Sequence, residues 1–342
     1  GVAIATDAAG NTNQATFDVD AIDENDTSAP TINFELEAVP EDGFITAPTR
    51  IRATINDSEG LKNYRLLAAQ IDGEEFKELW SLDNPSNIDN QFLDEIDSKL
   101  KFDPSLLQND SYILRLEATD SNNNTSFVDQ VVDVAGELKL GNFRLSFTDV
   151  AVPVTGIPIT LIRTYDTLTT GAKDDFGYGW RMEFRDTDLK TSILRDEFDK
   201  ERENYGYYKA FKRGTKVYVT LPGGKREAFS FEPVLDPLTE DIPYSPESLL
   251  FYNPKFVAES GSTSTLTVKN AKIFRSTESG GIFFNPVAKA YNPADPYYGG
   301  VYELTTKDGI VYEIDANTGD LLTATDLNGN VLTYTDEGIF SS

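Results

Sequence analysis

The amino-acid sequence predicts an all-β protein, on three observations. Apolar and polar residues alternate along short segments such as 143–148, and this period of two is typical of strands with one buried face. Turn signals follow one another at regular intervals, as in 308–309, 318–319 and 328–330, which each contain glycine beside Asp, Thr or Asn. A hairpin pattern also recurs about 110 residues along the chain, which suits repeated β-domains.

The recurring hairpin divides the first part of the chain. Residues 5–12 read ATDAAGNT and residues 118–125 read ATDSNNNT, with strand patterns on both sides of each copy. The alternative is chance similarity between two turns rich in Asn and Asp. The pattern resembles bacterial Ig-like domains, whose last hairpin often reads A-T-D-x-x-G-N. The resemblance implies that residues 1–28 are the end of a preceding Ig-like domain plus an acidic linker, and that residues 29–136 are an Ig-like β-sandwich.

Strand patterns continue through both halves of the chain. A hairpin is predicted around the Pro-Gly-Gly-Lys turn at 222–225, and one strand is predicted over 266–274. Residues 232–265 are rich in proline, serine and acidic residues, which predicts a long surface excursion. In the first half of the chain, alternation predicts strands at Thr31 to Leu36, Thr49 to Ile55, Tyr64 to Ile71, Tyr112 to Ala118 and Phe127 to Val134.

A series of motifs after residue 136 resembles a known family. Residues 143–149 read FRLSFTD, residues 152–166 read VPVTGIPITLIRTYD and residues 176–180 read FGYGW; residues 301–330 then contain Tyr-rich strands and Asp-Gly turns. This series resembles the opening segment and first repeats of Rhs/YD-repeat proteins over residues 137–342. The resemblance implies the β-sheet start of a shell that encloses a C-terminal effector or serves as a surface adhesin. A closed shell and any toxin are expected to lie outside this chain, whose first residues suggest a segment of something longer.

Composition excludes several function classes. A net charge of −27 argues against nucleic acid, because phosphate binding needs clustered Lys and Arg. With no His and no Cys, the Ser-His-Asp triad, cysteine catalysis and His-ligated zinc are all excluded. Carboxylate pairs for glycoside hydrolysis remain open, but no pair stands out among the 57 acidic residues. The sequence therefore predicts a protein that is not an enzyme, and the lack of a run of about 18 apolar residues predicts no membrane insertion.

Acidic loops in the first half predict a metal site. In the expected sandwich, three segments meet at one end: the linker before residue 29, the turn after the second strand, and the tip of the last hairpin. Ca²⁺ prefers six to eight hard oxygen ligands, and converging carboxylates are costly unless a cation neutralises them. The linker sequence DEND followed by Pro30 also resembles the Ca²⁺-binding linkers of cadherin-like arrays. A structural Ca²⁺ is therefore predicted, with a flexible solvated hinge as the alternative; the predicted ligands are Asp23, Asp26, Asp57, Glu59 and Asp120.

Two functions follow as expectations. The first is a structural and interaction segment of a large exported bacterial protein, which contacts the rest of the same polypeptide and surface glycans or other cell-surface proteins. The acidic, cysteine-free composition fits a secreted or cell-surface location in a medium that contains Ca²⁺. The alternative is a carbohydrate-binding surface adhesin, in which exposed aromatic rings stack on sugars; its candidate residues are Tyr205, Tyr207, Tyr208, Tyr297 and Tyr298.

Overall fold

A computed structural model of the chain confirms the all-β prediction. Strand makes up 52 % of the structure, and no described residue lies in a helix of seven or more residues. None of the described helices is long and apolar enough to cross a membrane. The structure describes residues 2–16, 26–40, 43–71, 73, 75–136, 139, 143–169, 173–174, 176–183, 185–193, 202–203, 205–222, 224–237, 250–269, 272–276 and 281–342.

The first part of the chain forms a hairpin and two larger sheets. Strands β1 and β2 pair with each other, one sheet has the order β4-β11-β10-β6-β7, and the other has the order β3-β5-β8 with β9 paired to β5. Short 3₁₀ turns lie at Leu93–Glu95 and Pro104–Leu106. The strands are β1 (Val2–Thr6), β2 (Thr12–Thr16), β3 (Thr31–Leu36), β4 (Phe44–Ile45), β5 (Thr49–Asn56), β6 (Leu61–Gln70), β7 (Lys77–Asp83), β8 (Ile88–Phe92), β9 (Lys101–Phe102), β10 (Asp110–Asp120) and β11 (Thr125–Val134).

These two sheets share one hydrophobic core. Along β10, Leu114, Leu116 and Ala118 are completely buried while the residues between them are partly exposed. The opposite sheet contributes Ile51 and Ile55 from β5 to the same core. Alternation along each strand therefore gives each sheet one inward face, as the sequence pattern predicts.

A smaller sheet follows, with its apolar face turned outwards. Strands β12, β13 and β16 pair in that order, and the register sets Leu145 opposite Tyr165. Leu145 and Phe147 on this face are exposed, whereas Thr164 and Asp166 on the polar face are buried. The strands of this region are β12 (Arg144–Val152), β13 (Ile159–Asp166), β14 (Lys173–Asp174), β15 (Gly177–Tyr178), β16 (Trp180–Glu183) and β17 (Lys190–Thr191), with a 3₁₀ turn at Thr167–Thr169 after β13.

The last part of the chain forms three sheets around a second core. Their strand orders are β17-β18-β19-β22, β20-β21-β24-β25 and β23-β26-β27-β28-β29-β30. A 3₁₀ turn lies at Pro296–Tyr298. The strands are β18 (Lys216–Thr220), β19 (Arg226–Phe231), β20 (Val234–Leu235), β21 (Phe251–Asn253), β22 (Phe256–Ala258), β23 (Thr265–Val268), β24 (Ile273–Ser276), β25 (Ile282–Phe284), β26 (Val301–Thr305), β27 (Val311–Asp315), β28 (Leu321–Thr325), β29 (Val331–Thr335) and β30 (Gly338–Ser341).

Two local predictions in this part are wrong. The expected surface excursion over 232–265 contains β20, β21 and β22 in its described residues, 232–237 and 250–265, and Tyr252 and Phe256 are buried in the second core. Residues 238–249 of this prediction lie outside the described residues. The aromatic rings of Tyr252 and Phe256 supply enough apolar area to hold short strands in a segment that is otherwise polar. The single strand expected over 266–274 is two strands, β23 and β24, which belong to different sheets.

The two cores meet at a junction of apolar and charged side chains. Phe44 and Ala135 from the first part form a small buried cluster with Tyr218 and Ala228 from β18 and β19. Beside it, the guanidinium of Arg226 crosses to residues of the first part, including the main-chain oxygen of Asn109 at 2.6 Å. The strands on either side of this junction are therefore in direct contact.

Candidate metal centre

Three of the five predicted metal ligands lie together at one end of the two-sheet unit. Asp26 precedes β3, Asp57 follows β5, and Asp120 ends β10. One carboxylate oxygen from each lies within 4.8 Å of the others. Three segments that are distant in sequence therefore place their acidic side chains around one point.

Asp120 is held by the hairpin turn that it begins. Its Oδ1 accepts hydrogen bonds from the main-chain N–H groups of Asn122 and Asn124, both at 2.8 Å. Its Oδ2 accepts a hydrogen bond from the side-chain amide of Asn124, also at 2.8 Å. Because the carboxylate is completely buried and held at both oxygens, its position is fixed before any ligand binds.

Two other hairpins in the described part of the chain contain the same turn, without the other acidic residues. In the β1–β2 hairpin, Asp7 accepts hydrogen bonds from the main chain and the side chain of Asn11. In the β28–β29 hairpin, Asp326 accepts the same two bonds from Asn330. The hydrogen bonds with Asn lower the pKa of Asp7 and of Asp326. Since neither belongs to a group of three potential ligands in the described part of the chain, the turn alone does not make a metal centre.

Asp57 is positioned by its own loop and by the segment before β8. Its main-chain N–H donates to Oδ1 of Asn87 at 3.2 Å, and the Asn87 amide donates to its main-chain oxygen at 2.8 Å. Its Oδ1 accepts a hydrogen bond from the N–H of Glu59 at 2.8 Å. The loop is also joined to the hairpin tip, because the N–H of Ser121 donates to the oxygen of Gly60 at 3.1 Å.

Asp26 connects the incoming chain to the same hairpin tip. The side-chain amide of Asn124 donates to the main-chain oxygen of Asp26 at 3.1 Å, and Oδ1 of Asp26 accepts a bond from the N–H of Ser28 at 2.9 Å. Its other carboxylate oxygen, Oδ2, is buried and has no hydrogen-bond partner. A buried carboxylate oxygen in this state costs free energy unless a cation or a donor contacts it.

The three carboxylates of this group have no described Lys or Arg as an ion-pair partner. Among the residues that the structure describes, no Lys or Arg forms an ion pair with Asp26, Asp57 or Asp120. Converging carboxylates and main-chain oxygens are ligands of hard divalent cations, so the donor set fits Ca²⁺ in kind. The observation that favours a ligand over a solvated acidic surface is the buried Oδ2 of Asp26.

The remaining predicted ligands have different outcomes. Asp23 lies outside the described residues. Glu59 lies next to the group through its main-chain N–H, but its carboxylate is not one of the three that come together. The sequence analysis missed Asn87 and Asn124, which position the ligands; the signal for Asn124 was its place four residues after an Asp in both copies of the repeat.

The aromatic residues considered for sugar binding do not form one exposed row. Tyr205, Tyr207 and Tyr297 are exposed, at 73 %, 72 % and 55 %. Tyr298 is 5 % exposed, packs against Tyr291, and donates its hydroxyl hydrogen to the main-chain oxygen of Lys289 at 2.6 Å. Burial raises the pKa of Tyr298 above its ordinary value. Tyr298 therefore packs within the protein and cannot share a binding face with Tyr297.

Comparison of the chain with protein-family models, with curated proteins and with solved structures found no match.

Proposed function

We propose that this chain is a non-catalytic structural and interaction segment of a large exported bacterial Rhs/YD-repeat protein. In this proposal, residues 29–136 are an Ig-like β-sandwich whose entrance holds a structural Ca²⁺. The following residues begin a β-shell that is used for effector encapsulation or for adhesion at the cell surface. The absence of His and Cys from the sequence supports a mechanical role rather than a catalytic one.

Two features of the fold support this proposal. The sheets that contain β3 to β11 share one core, as a sandwich requires. Strands β26 to β30 pair in chain order through successive hairpins, with Gly309, Gly319 and Gly329 at positive φ in the turns. Such an array can continue by adding hairpins, which is what the wall of a shell needs.

One observation supports the proposed Ca²⁺ site most directly: a carboxylate oxygen of Asp26, which lies beside Asp57 and Asp120, is buried and has no hydrogen-bond partner. The carboxylates of these three residues would hold the ion. A bound cation offsets the repulsion among three carboxylates and gives the orphaned oxygen a partner. Because Asp26 belongs to the chain that enters the sandwich, the ion also ties that chain to β5 and β10. The joint between consecutive domains is stiffened as a result.

Thermal unfolding of the 342-residue chain, with millimolar Ca²⁺ and with chelator, tests this proposal. An ion that binds the folded state alone raises the unfolding free energy by about 2.7 kcal/mol when its concentration is a hundred times Kd. We expect a higher unfolding midpoint with Ca²⁺ in the wild-type chain. Asp57→Asn and Asp120→Asn should reduce or abolish this shift, because each removes one anionic ligand.

Asp326→Asn is the matched control. Asp326 accepts the same hydrogen bonds in the same type of turn as Asp120, without the two neighbouring carboxylates. This variant should lower the midpoint in both media and keep the Ca²⁺-dependent shift. Superimposable curves with Ca²⁺ and with chelator, or equal loss of the shift in all three variants, would remove the ion from the proposal.

A further inference from the structure

The outward face of the β12–β13–β16 sheet is a continuous apolar surface. The register places Leu145 opposite Tyr165 and Tyr165 opposite Trp180, so the apolar rows of the three strands lie side by side on one face. Their rings are in contact, since the ring centroid of Trp180 lies 5.3 Å from that of Tyr165 and 6.2 Å from that of Phe147. Six residues of this outward face are between 38 % and 56 % exposed: Phe143, Leu145, Phe147, Val150, Val152 and Phe176.

The outward face is large enough for a protein interface. Because an aromatic side chain has about 150–250 Å² of surface, the six exposed residues and their half-buried neighbours offer roughly 700 Å² in total. The largest apolar patch on a typical monomer is about 300–600 Å², whereas a stable interface buries about 800 Å² on each partner. The area therefore exceeds what a monomer usually leaves uncovered and approaches what a dimer needs. The half-buried neighbours are Leu161, Arg163, Tyr165, Trp180 and Met182.

Two charged side chains at the centre of the outward face neutralise each other. Arg163 donates from Nε and Nη2 to the two carboxylate oxygens of Asp149, at 2.7 and 3.0 Å. The guanidinium carbon of Arg163 also lies 5.4 to 5.8 Å from the ring centroids of Phe147, Phe176 and Trp180. A two-bond ion pair among aromatic rings brings no net charge to an interface. A second copy of the same face therefore meets no like charge at this point.

Strand β12 is the outer strand of this sheet, and its hydrogen-bonding edge is irregular. The register with β13 shifts between Thr148 and Val150, which leaves Asp149 as the extra residue of a β-bulge. Bulges disrupt the ladder and disfavour pairing along an edge. The apolar side chains continue on the same face on both sides of the bulge. Association by the face is therefore favoured over association by the edge.

We propose that two copies of this chain form a dimer in which their outward faces pack against each other. In a two-fold interface the same patch lies on both subunits, so a surface that is apolar and internally neutral is complementary to itself. The two sheets pack face to face, as the sheets of a sandwich do. Each copy carries a net charge of −27, so the copies repel each other at long range and salt strengthens the dimer by screening that repulsion.

Sedimentation of the 342-residue chain over a range of concentrations, at low and at high salt, tests the dimer. We expect an equilibrium between monomer and dimer that shifts towards dimer as concentration rises and as salt rises. A chain that stays monomeric at every concentration would overturn the proposal and assign the outward face to a different partner. Association that weakens as salt rises would also overturn it, because such a result shows attraction between opposite charges rather than apolar packing.

Variants locate the interface. Leu145→Lys should weaken the dimer about tenfold or more, because each subunit then brings an ammonium into an apolar contact. Val150→Lys, on the same face beyond the bulge, should have the same effect and serves if Leu145→Lys does not fold. Val131→Lys is the matched control, since Val131 is an exposed residue of β11 in a different sheet and the substitution adds the same charge. A dimer that survives both variants of the outward face, or that weakens equally in Val131→Lys, would overturn the proposal.

Discussion

Arg226 and Asp110 form an ion pair across the junction of the two cores, with Nη2 and Oδ2 3.0 Å apart and with side chains 5 % and 1 % exposed. Asp110 begins β10 in the first part of the chain and Arg226 begins β19 in the last. Burial raises the pKa of Asp110, and the charge of Arg226 opposes that change. The pair thus joins the predicted sandwich directly to the following β-domain.

Removal of one partner of this pair should destabilise the protein strongly. Arg226→Met leaves the Asp110 carboxylate buried without its cation, which typically costs about 3–5 kcal/mol. Arg226→Met with Asp110→Asn should recover part of the loss, because the second change removes the stranded charge. Equilibrium unfolding in urea measures these differences.

An exposed ion pair provides the comparison. Arg213 pairs with Glu232 at 2.7 Å, but its side chain is half exposed. Arg213→Met should change the unfolding free energy by no more than about 1 kcal/mol. Similar losses in Arg213→Met and Arg226→Met would contradict the view that burial makes the junction pair important.

Gly319 is expected to tolerate no side chain. Its φ is +81°, and an added Cβ would lie 2.8 Å from Cβ of Leu189 and 3.2 Å from the Leu189 nitrogen. Its main-chain oxygen also accepts bonds from the N–H and the hydroxyl of Thr187, at 3.0 and 2.7 Å. Gly319→Ala should therefore lower the unfolding free energy by more than the roughly 1–2 kcal/mol that left-handed backbone costs alanine.

Substitution of Gly329 shows how much of the loss comes from the backbone conformation and how much from the contact with Leu189. Gly329 has φ of +82° in the next turn, and nothing lies within 4 Å of an added Cβ. Gly329→Ala should cost about 1–2 kcal/mol from the backbone alone. If both variants lose the same stability in thermal unfolding, the packing of Leu189 on Gly319 contributes nothing.

In the β12–β13–β16 sheet the apolar face is exposed and the polar face is buried. Replacing an apolar residue by lysine should therefore cost less stability here than replacing a polar one. Leu145→Lys on this exposed face should change the unfolding free energy by about 0.5 kcal/mol or less and should reduce the binding of a hydrophobic dye. Thr164→Lys on the buried polar face should cost about 2 kcal/mol, because it removes the hydrogen bond between the hydroxyls of Thr164 and Ser146 and places an ammonium at a buried position. Unfolding in urea and dye fluorescence measure the two effects. A large loss for Leu145→Lys would contradict the exposure of this face.

Alternation in the sequence was sufficient to locate many strands, but it did not show which face of each strand would be buried. Alternation predicted that Leu145 and Phe147 share a face, and they do, yet the pattern does not say which face another layer covers. The positions of three acidic segments at one end of the expected sandwich predicted that Asp26, Asp57 and Asp120 would lie close together, as they do. The pairing of Arg226 with Asp110 was out of reach, because it depends on how two separate units pack and leaves no local pattern.

Lys139 gives a pH dependence with a defined sign. Burial lowers the pKa of Lys139 from its ordinary value of 10.5 to about 8 in the folded protein, and Asp103 is the nearby charge that opposes the change. Below pH 8 the lysine is charged in both states, so the full cost of burying the cation is present. Between pH 8 and 10 the folded protein loses this proton while the unfolded chain keeps it, so the contribution of Lys139 to stability becomes more favourable as pH rises.

The difference in unfolding free energy between wild type and Lys139→Met isolates this effect. Buried tyrosines also titrate at higher pH, and burial raises the pKa of Tyr64 to about 12, but their contribution is the same in both proteins. As pH rises from 8 to 10, the unfolding free energy of wild type should increase relative to that of the variant, by at most about 1.4 kcal/mol per pH unit. A difference that stays constant, or that falls with pH, would mean that Lys139 keeps its proton in the folded state and that its surroundings do not desolvate it.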